Sequence, residues 1–220
     1  METVQGEPYG PLLFLQIIIA TVGWLCGYSF LKHNNRLIGI EYFLIGLSAT
    51  CGTLFLTFGL HSAESIWIFL DVFSRTFGVT IFVAIGIFEL THNLKLSALK
   101  QTLLFALGFA LSFWINKNPL FTDILPIMSL GFGLILLYAV GVIAKQSFDW
   151  GLKKNGYLSV LTMIFLILIG LVLPFFAKNM SEIRHHQVDN VCQVVIFVLI
   201  YIIFINLYKT KNNALNNREE

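Results

Sequence analysis

Charge is what this sequence has least of. Only 12% of its 220 residues are Asp, Glu, Lys or Arg, against 57% that are apolar, whereas a water-soluble domain is about a quarter charged. A soluble surface cannot be built from so few charges, and the mean hydropathy of +0.80 agrees that lipid is the solvent for most of the chain. The 14 basic and 12 acidic side chains nearly balance and no basic run occurs, which excludes a nucleic-acid partner. Cysteine is also scarce. Cys26, Cys51 and Cys192 each stand alone in an apolar run without a C-x-x-C pair, so neither a zinc ribbon nor a redox motif is available. They read as small core residues. The opening METVQGEPYG lacks the basic segment of a cleavable signal peptide, so the first apolar run is expected to stay as a membrane span. No internal repeat is visible, which argues against the repeat-built transporters. The seventh apolar run holds no lysine, so a retinal Schiff base is excluded.

What the chain does have is apolar runs of bilayer length. With about 20 residues needed to cross as a helix, seven spans are predicted, at 11–31, 38–60, 66–90, 98–115, 122–144, 156–177 and 187–208. The expected fold is all-α: one seven-helix transmembrane bundle over 1–220, with no separate soluble domain. The separators are short: 32–36, 61–65, 91–97, 116–119, 145–156 and 178–186. Lys32, Arg36, Lys95, Lys100, Lys145, Lys153, Lys154 and Lys209 fall on one side, with Lys211 and Arg218. Only Lys117, Lys178 and Arg184 fall on the other. Basic residues mark the cytoplasmic side, which puts the amino end outside and the carboxyl end inside. Small size and minimal loops point to a bacterial inner membrane. Trp114 is expected to anchor the fourth span at the interface, and Pro126 and Pro174 to kink the fifth and sixth.

The informative residues are the polar ones inside these runs. Ser48, Gly52 and Gly59 give the second span a small-residue face for close helix approach. Thr50, Thr53, Thr57 and His61 recur at spacings of three and four and form one stripe. Its threonines are expected to bond back to their own helix. Asp71 and Arg75 are one turn apart on the third span, the spacing of an in-helix ion pair. Glu89, 18 residues beyond Asp71, belongs to the same face of a regular helix and is expected to reach Lys95 or solvent. Glu41 is expected to snorkel or to pair with a loop. The seventh span opens on RHHQVDNVCQ, with His186, Asn190 and Gln193 on one face and His185 and Asp189 on the next. Intramembrane ionisable residues usually face a bundle interior or a wet cavity. An outward-opening polar pocket between spans two, three and seven follows. His and Asp are ligand types that zinc accepts, and zinc-bound water is a hydrolytic nucleophile at neutral pH.

Thr57 four residues before His61, Asp71 on the next span and His185 to Asp189 on the last resemble the CREST superfamily, which includes the alkaline ceramidases and adiponectin-receptor type proteins. That group has seven spans, an intramembrane zinc, and a Ser-x-x-x-His, Asp, His-x-x-x-His pattern. Thr57 stands here for the serine, and Asp189 or Asn190 for the second histidine. The resemblance implies a metal-assisted hydrolase of a lipid amide or ester. In it His61, His185 and Asp189 would hold zinc, Asp71 would orient or deprotonate the water, and Thr57 would help to bind the oxyanion. Arg75, His186, Asn190 and Gln193 would complete the pocket, and membrane lipid would be solvent and substrate. The alternative is a small-solute transporter, with Asp71 and Arg75 on its pathway, or a metal-free, non-enzymatic seven-span protein.

Overall fold

The computed structural model describes residues 10–92, 96–118, 125–172 and 182–216; within them, the side chains of 125–129, 132, 171–172, 182–186 and 211–216 lie outside the description. All the elements in these stretches are helical. They are α1 (Gly10–Lys32), α2 (Arg36–Phe58), α3 (His61–His92), α4 (Ala98–Lys117), α5 (Leu125–Asp149), α6 (Lys153–Ile167, widened into a π-helical turn at Leu168–Val172) and α7 (Glu182–Asn216). Six of the seven, all except α5, contain a described stretch long and apolar enough to cross a membrane. That is the make-up of a membrane protein.

The helix ends follow local chemistry. Between α1 and α2 the chain reverses through Asn34, which adopts φ 59°, a conformation asparagine tolerates better than most residues. The Asn35 side chain then accepts the Ile38 N–H at 3.2 Å and caps α2. Gly59, at φ 67°, ends α2 as a left-handed cap. An added Cβ there would meet nothing within 4 Å, so this glycine serves the turn and not the close packing expected of it. Residues 61–65, expected as a separator, are the first turn of α3, because the Gly59 cap lets a new helix start at once. The Ala63 and Glu64 N–H groups bond the Leu60 carbonyl.

Six helices form a ring in which each packs on the next, in the order α1, α2, α3, α5, α6, α7 and back to α1; α4 packs outside, against α3. In lipid, van der Waals contact and interhelical hydrogen bonds hold such a bundle together. The α1–α2 seam is the closest approach. Gly23 faces the Gly46 backbone, and Gly27 faces Gly39 and Phe43. Between α3 and α4 the contact is aromatic, with Phe73 stacked on Phe109 and Phe82 tilted against Phe105, both at 4.3 Å between ring centres. The ring is tied by polar bonds as well. The Tyr42 hydroxyl on α2 donates to the Phe197 carbonyl on α7 at 2.8 Å. Asn155 on α6 donates to the Ile203 carbonyl and accepts from Asn206, each at 3.0 Å. Tyr201 reaches the Ser29 hydroxyl on α1 at 3.2 Å. The outer surface carries Phe14, Leu25, Tyr28, Leu99, Trp114 and Tyr138, all exposed.

The departure with most consequence is in α3. Ser74–Phe82 is a nine-residue π-helical stretch, in which each turn holds about one residue more than an α turn. Two such turns rotate everything beyond them by roughly two residues, on the order of half a turn. Asp71 and Glu89 therefore do not share a face, contrary to expectation. Asp71 lies on the ring interior, while Glu89 accepts the Leu96 N–H at 3.3 Å and the Gln101 side chain at 3.5 Å, at the start of α4. Lys95 lies outside the described residues, as do Pro174 and the side chain of Pro126. Glu41 corrects another expectation. It is wholly buried and does not snorkel, because its face of α2 is turned onto the widened part of α3. Its carboxyl rests on the bare Cα of Gly78. The Ser74 hydroxyl lies beside it outside hydrogen-bond geometry, and neither carboxyl oxygen has a hydrogen-bond partner among the described residues.

Candidate functional site

A polar convergence inside the ring surrounds Arg75. This residue sits in the π-helical stretch, one turn after Asp71, and its Nε donates to Asp71 Oδ2 at 2.7 Å. Its Nη1 donates to Asp189 Oδ2 on α7 at 2.6 Å. Gln193, one turn further along α7, donates to the same Asp189 oxygen at 3.0 Å. The guanidinium thus joins two carboxylates on two helices, a geometry for which a planar fork of donors is preorganised. The side chains of Arg75 and Asp71 are a little over a third exposed, and that of Asp189 only 6%.

These groups line one end of a cavity of about 390 Å³, within the size range of small-molecule sites. The wall draws on six helices. Gln16 comes from α1, Ser48 from α2, Trp67, Ser74 and Thr80 from α3, and Asn190 from α7; Gly133, Leu134 and Leu137 on α5 and Leu166, Ile167 and Gly170 on α6 make the far side. The cavity is polar at the α3–α7 end and apolar at the α5–α6 end. Leu134 and Ile167 line it and are exposed. Both π-helical segments border it, on α3 and on α6. Such segments recur at functional sites because they re-aim side chains without ending the helix.

Of the residues singled out from the sequence, Asp71, Arg75, Asp189, Asn190 and Gln193 come together on this cavity. Thr57 and His61 do not. Thr57 is exposed, and the His61 side chain is 88% exposed and pairs with Glu64 at 3.1 Å in the first turn of α3. The stripe below them is ordinary back-bonding: Thr50 donates to the Gly46 carbonyl at 2.7 Å and Thr53 to that of Ala49 at 2.9 Å. The side chains of His185 and His186 lie outside the described residues. Gln16 and Ser74 were missed. Gln16 was legible as the lone polar residue in LLFLQIIIA, and Ser74 sits beside Arg75.

A zinc ion held by His61, His185 and Asp189 does not fit the described residues. His61 does not line the cavity, and Asp189 is already engaged through Oδ2 by Arg75 and Gln193. A guanidinium at 2.6 Å from a ligand oxygen also opposes a divalent cation. Among the described residues no group of three His, Cys, Asp or Glu side chains is placed to hold a metal.

Fold and site together define an all-helical, membrane-type bundle around a cavity that is polar at one end and apolar at the other. No protein-family model, curated protein or solved structure matches the chain.

Proposed function

We propose that this is a seven-span protein of a bacterial inner membrane that binds a lipid-like amphiphile in the cavity beside Arg75. α5 is the seventh span: its sequence is apolar, and an odd span number agrees with the alternation of basic residues, which puts the amino end outside and the carboxyl end in the cytoplasm. The observation that carries the binding reading is the polarity gradient. The Asp71–Arg75–Asp189 end offers charged and amide groups to a headgroup, and the α5–α6 end offers an apolar wall to a hydrocarbon chain. A water-soluble solute would leave that wall unsatisfied, and a pure hydrocarbon would leave the polar end unsatisfied. The lipid-binding half of the hydrolase reading is thereby retained without its metal.

Trp67 lines the cavity and supplies the test. In a variant with Trp24, Trp114 and Trp150 replaced by phenylalanine, a bromine-labelled long-chain alcohol should quench Trp67 saturably. Gly133 lines the cavity with open space above its Cα; Gly133→Phe should fill that space and remove the saturable component. Quenching of Trp67 that rises without saturation, as for a variant keeping only Trp150, would refute the reading.

A further inference from the structure

We infer that the cavity selects an amphiphile whose headgroup is an ammonium with free N–H donors, and disfavours anionic headgroups. This rests on the binding reading above and adds the chemistry of the headgroup.

The first argument is charge. Among the described cavity-lining side chains, the ionisable groups are Asp71, Arg75 and Asp189, two negative and one positive, an excess of one negative charge among these described groups. The charge of Arg75 is already answered by the two carboxylates that its Nε and Nη1 bond, and a phosphate or carboxylate drawn to its remaining N–H groups meets both of them. An anionic headgroup would reach the guanidinium only by lying against Asp71 and Asp189. The acceptors, in contrast, are open. The hydrogen bonds of Asp71 and Asp189 to Arg75 and Gln193 all use Oδ2, and Asp71 is the more exposed of the two carboxylates. An ammonium placed on Asp71 Oδ1 restores neutrality and gains a charge-assisted hydrogen bond.

The second argument is independent of the carboxylates. Gln16 on α1 and Asn190 on α7 are 4% and 5% exposed, line the same cavity, and hydrogen-bond to no other described residue. Neither amide is among the fully buried polar atoms without a partner, so both present polar atoms to the cavity and are open to a ligand. Their carbonyl oxygens add acceptors for the N–H donors of an ammonium to the same cavity wall. A quaternary ammonium has the charge but no donor, so it satisfies only part of the site.

Displacement of the brominated alcohol from Trp67 by unlabelled dodecyl amphiphiles tests this. The primary amine should displace it at a concentration at least tenfold below that of the alcohol. The quaternary ammonium should fall between them, and the carboxylate should be weaker than the alcohol. Asp71→Asn, which neutralises the polar end, should shrink the amine-to-alcohol ratio by about tenfold. If that variant is too unstable to assay, Asn190→Asp adds a negative charge and should raise the ratio instead. A carboxylate or alcohol equal to the amine overturns the headgroup inference and leaves amphiphile binding standing. Failure of all four to displace a saturably bound probe also overturns it. Absence of any saturable probe binding overturns the binding reading first.

Discussion

Replacing Gly23 by alanine adds one methyl group where two helix backbones touch. An ideal Cβ there would lie 2.5 Å from both Cα and N of Gly46, and 2.8 Å from the Tyr42 carbonyl oxygen. Carbon atoms in contact sit about 3.5–4.0 Å apart, so α1 and α2 must separate by about 1 Å. The obstacle is main chain, so no side-chain rotation relieves it. Separation would also loosen the packing at Gly27, where a Cβ would already stand 3.0 Å from the Gly39 carbonyl, and stretch the Trp24 Nε1 to Thr50 hydrogen bond beyond its present 3.2 Å. A gap of about 1 Å forfeits on the order of half the dispersion energy of each contact it opens. The expected loss lies at the upper end of the overpacking range, about 3 kcal/mol. Gly46→Ala meets its nearest atoms at 3.1 Å and 3.3 Å and should lose less. Gly131→Ala on α5 meets nothing within 4 Å and should gain about 0.5–1 kcal/mol from helix propensity. Reversible unfolding in mixed detergent micelles, followed by circular dichroism, should rank the three in that order. Equal stability of Gly23→Ala and Gly131→Ala would show that α1 and α2 are not in backbone contact.

Gly78→Ala should push a methyl into the Glu41 carboxyl, which is wholly buried and cannot swing to solvent; the expected loss is about 1–3 kcal/mol. Glu41→Ala should recover most of it in a double-mutant cycle, whereas strict additivity would place the two apart. Arg75→Lys keeps the charge but cannot serve Asp71 and Asp189 as a fork. A loss of about 1–2 kcal/mol is expected, below that of a fully buried pair because Arg75 and Asp71 open onto the cavity. An unchanged melting temperature would show the fork to be dispensable. His61→Ala and Thr57→Ala should leave the Trp67 titration unaltered, since neither residue lines the cavity; weakened binding in either would move the site toward the α2–α3 turn.

Much was legible before any coordinates because local chemistry decides it. Apolar length marks helices that can live in lipid, and unsatisfied backbone is intolerable there, so the all-helical class follows from composition. The Asp71–Arg75 bond follows from a spacing of four. That Asp71, Asp189, Asn190 and Gln193 share one cavity was also anticipated, since each is an expensive residue at depth with few places to go.

Three things were decided only by the tertiary structure. Whether Asp189 meets a metal or Arg75 depends on which helix faces α7 and at what height, and spacing within one helix carries no such information. The π-helical stretch of α3 breaks the period on which face assignments rest, so Glu89 left the face of Asp71 and an interior site opened for Glu41 against Gly78. His61 parted from the cavity because Gly59 ends α2 and α3 restarts at His61 itself, directing the imidazole to Glu64 in its own first turn. The sequence by itself determined the helices and their polar inventory. The order of helices round the ring determined which of those polar groups meet, because contacts between helices depend on the path of the whole chain.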